Sequence, residues 1–177
     1  MSAEVPQAGS SRAERIEASR RFLEESFNDG NLAVADQYLA AEATDNDPAM
    51  PTHLGHLRGP DRFKAIVKLY REAFPDIRMK VEEAMCDGDA VIMRWRSTGT
   101  HRGPLLGFAP TGASVEVTGI DIFRWSGDKI VEAFAQWDNL GLARQIGAAP
   151  PEGSTGERLG QQLQHLTARR MRRRAHA

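Results

Sequence analysis

Residues 115–125 alternate between apolar and polar side chains. They read Val115-Glu116-Val117-Thr118-Gly119-Ile120-Asp121-Ile122-Phe123-Arg124-Trp125. Because successive side chains of a strand point to opposite faces, Asp121 shares one face with valines and aromatic residues. A carboxylate there loses water and must find a partner, raise its pKa or take part in chemistry. Such groups are typical of active-site clefts, and equally of a structural Asp that holds a backbone N–H or an arginine.

This segment is one of four predicted strands, which cover residues 77–85, 90–101, 114–125 and 129–138. Helical apolar spacing covers residues 12–28 and 32–40, and a third helix begins at Gly59-Pro60 and stops at Pro75. Residues 44–51 form a short, polar, extended segment that ends in a loop. Helices followed by an antiparallel meander indicate an α+β domain.

A chain of 177 residues suits one domain. We assign residues 1–11 to a disordered N-terminus, 12–147 to the domain, and 148–177 to a Pro/Gly linker with a short helix and a basic C-terminal tail. The last segment has six arginines against two glutamates, a net charge of +4. The remainder has 17 basic and 22 acidic residues, a net charge of −5, which argues against a nucleic-acid-binding core.

Several classes of protein are disfavoured by what the sequence lacks. Cys86 is the single cysteine, so no intrachain disulfide is expected and a cytoplasmic location is the simplest expectation. No apolar run approaches the ~20 residues of a membrane helix, and no signal peptide is evident. His53 and His56 are the one close histidine pair and have no obvious third ligand, so we expect no metal.

Several motifs, in this order and spacing, resemble the SnoaL-like polyketide cyclase family of the nuclear-transport-factor-2-like superfamily. They are Gly59-Pro60, Ala73-Phe74-Pro75-Asp76, residues 97–103 (STGTHRG), Pro110-Thr111-Gly112, residues 119–125 (GIDIFRW), residues 127–132 (GDKIVE) and residues 138–147 (DNLGLARQIG). The resemblance implies N-terminal helices packed in a strongly curved antiparallel sheet, an α+β cone or barrel that encloses a pocket. It also implies a homodimer or larger homo-oligomer and an activity without cofactors.

In the cyclases of that family, a catalytic Asp follows a Trp in the last strand. Counted without gaps from Gly127, the corresponding position here is Ala135, and a nearby His of those cyclases corresponds to Asp121. The sequence therefore departs from the usual acid of the aldol cyclases.

Small residues surround Asp121 in the predicted sheet. With a three-residue turn at 126–128, Asp121 lies opposite Ala133, and Gly119 opposite Ala135. This arrangement leaves space beside a general acid/base, or it lets a large core side chain such as Trp95 pack there.

The other candidate site residues are polar groups and aromatic rings near this face. His101, at the end of its strand, could exchange protons with Asp121 or serve as a structural hydrogen bonder. Asn46 could bind a substrate oxygen or build a turn. Trp95 could stack on a flat ligand or belong to the core. Phe123, Ala135 and Trp137 complete the expected pocket wall.

We therefore expect a cofactor-independent acid/base enzyme of secondary metabolism that acts on a hydrophobic, oxygenated, aromatic polyketide-type small molecule. Asp121 would move a proton next to a carbonyl, while His101 and Asn46 stabilise the oxyanion. The alternatives are a non-catalytic binding or assembly module of the same fold, or a related hydroxylase, epoxide hydrolase or isomerase.

Overall fold

The computed structural model describes residues 11–47 and 51–175. The segment expected to be disordered therefore lies outside the described residues, except for Ser11, and so do residues 48–50 of the expected loop. The elements, in chain order, are α1 (Arg12–Glu24), a π-helical turn (Glu25–Asp29), α2 (Ala33–Tyr38), β1 (Leu39–Asn46), a 3₁₀ turn (Thr52–Leu54), α3 (Gly59–Ala73), β2 (Arg78–Asp87), β3 (Ala90–Thr100), β4 (Ser114–Ser126), β5 (Lys129–Trp137), α4 (Asn139–Gln145) and α5 (Thr155–Ala175).

The five strands form one sheet in the order β1-β5-β4-β3-β2. Strands β2 to β5 make the predicted antiparallel meander, and the mixed α+β class is confirmed. Strand β1, however, pairs with β5 in parallel, so the expectation of a wholly antiparallel sheet is wrong at this edge. The second helix also ends at Tyr38, because Leu39 is already extended. Apolar spacing in so short a segment suits a helix and a strand alike.

The hairpin between β4 and β5 differs from the predicted one. Ser126 pairs with Lys129, so the turn contains only Gly127 and Asp128, and Gly127 has the positive φ of +60° that such tight turns require. The register then shifts by one residue between Arg124 and Trp125. Val131 is the extra residue of this bulge. The predicted pairing is therefore wrong by two residues: Asp121 lies opposite Ala135, and Gly119 opposite Trp137.

The core lies between the helices and the inner face of the sheet. Phe22 of α1 is 1% exposed and stacks on Phe63 of α3, with ring centroids 4.4 Å apart. Its ring also meets Phe123 of β4 edge-on at 5.5 Å. Ser11 begins α1 with a capping box, in which its hydroxyl accepts from the Glu14 N–H and the Glu14 carboxylate accepts from the Ser11 N–H. These contacts fix the helices that cover the site.

The C-terminal segment is helical over 21 residues, which is longer than the short helix that the sequence predicted. Leu159 and Leu163 are exposed on α5. Arg144 of α4 donates to Glu157 at 2.6 Å and thereby connects the start of α5 to the domain. Within residues 11–47 and 51–175, no helix combines the length and the apolar character that a membrane span requires.

Candidate active site

A cavity of about 140 Å³ lies between the inner face of the sheet and the helices. An engineered cavity of about 150 Å³ is known to bind benzene, so this space can hold a ring. Its wall is mostly apolar, and its aromatic members are Phe22, Phe27, Phe63, Tyr70, Phe74, Trp95, Phe123 and Trp137. The expected wall residues Trp95, Phe123, Ala135 and Trp137 therefore all line the cavity, as does Asp121.

Asp121 is the ionisable group set deepest in this wall, on the strand β4 that has neighbours on both sides. It is 7% exposed, and the Trp95 indole Nε1 donates to its Oδ1 at 3.0 Å. Its other oxygen, Oδ2, has no hydrogen-bond partner in the part of the chain that the structure describes. Burial raises the pKa of Asp121 to about 7; the Trp95 hydrogen bond opposes this, and the charges of Asp45 and Asp47 add to it. This carboxyl group can therefore gain or lose a proton near neutral pH.

Gly119 makes the contact between Trp95 and Asp121 possible. A Cβ atom at position 119 would collide with the Trp95 indole ring and lie 2.7 Å from the Cβ of Trp137. The expected alternative, in which a small residue makes room for Trp95, thus applies to Gly119. Ala133 and Ala135 instead border the cavity itself.

Two further carboxylates line the cavity, those of Asp45 on β1 and of Asp47, which directly follows that strand. Burial raises the pKa of Asp45 to about 6, against the opposing charge of Arg62, whose Nε lies 3.8 Å from Asp45 Oδ2. Asp47 accepts a hydrogen bond from Trp137 Nε1 at 3.3 Å. Asn46, the predicted substrate-binding residue between them, is exposed and donates to Glu132 Oε1 at 3.0 Å.

Alternation puts Asp45 and Asp47 on one face and Asn46 on the other, but the sequence does not show which of these faces is the inner one. Ala43 is buried at 4% exposure and also lines the cavity. Since side chains alternate along a strand, Asp45 and Asp47 share the face of Ala43, whereas Asn46 has the opposite one.

His101 does not reach the cavity. Strand β3 ends at Thr100, and the His101 ring is fully buried against Phe74, with ring centroids 5.4 Å apart. Its Nδ1 lies 3.2 Å from the Thr111 hydroxyl. His101 is absent from the described wall, so the structure does not support the expected proton exchange with Asp121. The alternation that predicted this contact stops where the chain leaves the sheet.

Tyr70 of α3 lines the cavity and meets the Trp137 ring edge-on, with ring centroids 6.0 Å apart. Burial, together with the nearby charge of Asp47, raises its pKa above the usual value, so the phenol remains a hydrogen-bond donor. Among the described residues, no three His, Cys, Asp or Glu side chains are grouped to hold a metal ion.

A mixed α+β domain with an apolar cavity around a buried carboxyl group is an arrangement in which small-molecule sites commonly occur. Residues 17–146 match the model of the SnoaL-like polyketide cyclase family, and the chain belongs to that family. No protein of curated function matches the sequence significantly.

Solved structures of similar proteins support this assignment. A protein of Acidithiobacillus ferrooxidans, provisionally described as a polyketide cyclase, is 30% identical with a TM-score of 0.66; the match covers 80% of this chain and 98% of that one. TsrD from Streptomyces laurentii is 25% identical with a TM-score of 0.68, over 78% and 98% of the two chains. IdmH from Streptomyces antibioticus, also provisionally described as a polyketide cyclase, is 26% identical with a TM-score of 0.62, over 74% and 96%.

Proposed function

We propose that this protein is an acid/base enzyme that acts on a hydrophobic, oxygenated small molecule of the aromatic polyketide type, with Asp121 as the proton-transferring group. The observation that carries the proposal is the Asp121 carboxyl group, which is buried in an apolar cavity, has one oxygen without a partner and has a pKa of about 7. A general acid/base works best when its pKa lies near the operating pH. Membership of a cyclase family agrees with such chemistry.

In the proposed reaction, ionised Asp121 removes a proton from a carbon next to a carbonyl group, and the electron pair moves to the carbonyl oxygen. The Tyr70 hydroxyl is a lining group that can donate to that oxygen. It takes the stabilising role expected for His101 and Asn46. Attack of the enolate carbon on a second carbonyl closes a ring, and the proton held by Asp121 passes to the new alkoxide. Return of the proton to another carbon would instead give isomerisation.

The position of Asp121 also accounts for the missing family acid. The resemblance to the cyclases assigns their Asp to the position of Ala135, and Ala135 lies directly opposite Asp121 on the neighbouring strand. Facing residues of an antiparallel pair have Cα atoms about 4.5–5.5 Å apart. A carboxyl group on β4 can therefore serve nearly the same part of the cavity as one on β5.

The direct test measures proton abstraction without requiring the natural substrate. We expect the protein to accelerate hydrogen–deuterium exchange at the carbons next to the carbonyl of phenylacetone, followed by NMR in D₂O. Asp121→Asn should lower the accelerated rate by about 100-fold or more. Asp128→Asn, the same change in the exposed turn, should not affect it. Binding of phenylacetone without accelerated exchange would favour the non-catalytic binding module.

A double substitution tests the geometry. Asp121→Asn/Ala135→Asp returns a carboxyl group to the position that the cyclases use. We expect exchange activity lost in Asp121→Asn to be partly regained in the double variant. Equal activity of Asp121→Asn and the unaltered protein would reject the mechanism.

A further inference from the structure

The side chains that can bring a charge into the cavity are all acidic. Asp45, Asp47 and Asp121 line it, and its described wall contains no lysine, arginine or histidine. Among the described ion pairs, the cation nearest to these carboxylates is Arg62 of α3. It is not part of the wall, and its Nε lies 3.8 Å from Asp45 Oδ2. That separation is too long for a hydrogen bond. A ligand therefore meets three carboxyl groups and no cation in the described wall.

Asp121 supplies a specific attachment point within this wall. More than nine-tenths of the residue is buried, and Oδ2 has no donor among the described residues. An oxygen of the cavity wall that has no protein donor favours a ligand that brings an N–H or O–H group to it. A ligand oxygen without a proton cannot do this while Asp121 is ionised.

The aromatic rings of the wall supply the second half of the recognition. Trp95 and Trp137 lie opposite Gly119 on the adjacent strands, two residues along β4 from Asp121, and Tyr70 packs edge-on against Trp137. Aromatic faces attract cations, and Trp does so best. Carboxylates and indole rings in one apolar cavity both favour a positively charged ligand.

We propose that the cavity selects a ligand in which an apolar ring system carries a positively charged nitrogen, with that nitrogen at Asp121 Oδ2 and close to Trp95 and Trp137. This inference rests on the proposed function, because it names the substrate class of the same site. An anionic ligand is disfavoured where Asp45 and Asp121 are ionised, because the two carboxylates repel it.

Three probes of nearly equal size, each with a single aromatic ring, compare a cationic, a neutral and an anionic ligand: benzylamine, benzyl alcohol and benzoate. Binding is measured by NMR titration at about pH 8, above the pKa values of about 6 and 7 of Asp45 and Asp121. The other titratable or charged groups around Asp45 and Asp121 are Asp47, Arg62 and Tyr70. We expect benzylamine to bind about tenfold more tightly than benzyl alcohol, and benzoate to bind most weakly. Equal affinity of benzylamine and benzyl alcohol, or tightest binding of benzoate, would overturn the inference.

Variants show whether the preference comes from this site. Asp121→Asn and Asp45→Asn should each lower the affinity for benzylamine more than that for benzyl alcohol, while Asp128→Asn changes neither. A preference that survives both cavity substitutions would also overturn the inference. Far-UV circular dichroism confirms folding, and the two cavity variants provide independent tests if one of them is unstable.

These outcomes are separate from those for the proposed function, because binding is measured without turnover. A preference for benzylamine without any Asp121-dependent exchange would reject the catalytic role and keep the inference. Asp121-dependent exchange together with a preference for benzoate or the alcohol would do the opposite.

Discussion

The two faces of the sheet shift the pKa of a carboxyl group in opposite directions. On the inner face, Asp121 has one indole donor, and burial raises its pKa to about 7. On the outer face, Glu82 of β2 accepts from Arg96 Nε at 2.9 Å and also from Arg94. The hydrogen bond from Arg96 is the largest cause of the lowered pKa of Glu82. Solvent and arginines keep one carboxylate charged, whereas apolar walls make the other one a proton donor and acceptor near neutral pH.

The face of a strand, rather than the residue type, therefore decides what a carboxylate can do. Arg96 also donates to Glu116 of β4, so the outer face carries a network of alternating charges across three strands. Such exposed pairs contribute little to stability. Asp121, by contrast, is an acid kept where its charge is disfavoured, which is typical of a functional site.

The largest expected effect is on the pH dependence of stability. An unfolded Asp loses its proton near 3.8, whereas Asp121 in the folded protein keeps its proton up to about 7. Its contribution to stability is therefore complete below about pH 4 and is lost as the pH rises through 7. Asp121→Asn does not titrate, so it should be more stable than the unaltered protein at about pH 8, by up to about 4 kcal/mol. Urea unfolding at both pH values measures the difference.

The advantage of Asp121→Asn should vanish at about pH 4, which makes the low-pH measurement an internal control. Lower stability of Asp121→Asn at about pH 8 would mean that the charged form is preferred in the folded protein, as on the outer face. The contrast between the two faces would then be wrong.

The next effect concerns the space that positions Trp95. Gly119→Ala should destabilise the protein by about 1–3 kcal/mol, the usual cost of overpacking, because the new Cβ meets the Trp95 ring and the Trp137 Cβ. Thermal unfolding measures it. Gly160→Ala on α5 is the matched control, since a Cβ there meets nothing within 4 Å. An unchanged Tm in Gly119→Ala would show that the indole does not need this gap.

The smallest effect is expected on the outer face. Glu82→Gln keeps the shape of the side chain and removes its charge, so its two arginines lose an ionic partner that solvent already screens. Because the pKa of Glu82 is lowered in the folded protein, its contribution is present above its usual pKa of 4.5 and lost as the pH falls. We expect a slight decrease in Tm at neutral pH that disappears in about 1 M salt, where screening acts within about 3 Å. A decrease that persists in salt would show that this face also depends on desolvated charge.

Much of the fold could be predicted from alternation and turn residues. The four strands of the meander lie close to their predicted ranges, since each is bounded by glycine, proline or aspartate. The edge strand β1 could not be predicted in the same way. Its partner β5 is about 90 residues away in the chain, and its register is interrupted between Leu39 and Thr44. No local pattern encodes a parallel pairing of that kind.

The site was predictable where it depends on a single strand and not where it depends on several. Asp121 faces inward because β4 alternates without interruption. His101 was misplaced because its strand ends one residue earlier, and Asp45 and Asp47 were missed because the face of β1 depends on a distant partner. The hydrogen bond from Trp95 needed three-dimensional information, since it crosses diagonally from β3 to β4 over Gly119.

The bulge at Val131 has a consequence for how this cavity can change. Regular alternation from the buried Ile130 would turn Glu132, Phe134 and Gln136 inward, but the bulge sets two residues of β5 against one of β4 and so reverses the alternation beyond it. With the bulge, Ala133, Ala135 and Trp137 point inward instead, and Ala135 lies opposite Asp121. The composition of this wall is thus controlled at the mouth of a hairpin, several residues from the carboxyl group. Loss of the bulge with Val131 kept in the chain would exchange an entire row of the binding surface, which a single substitution within that row cannot do.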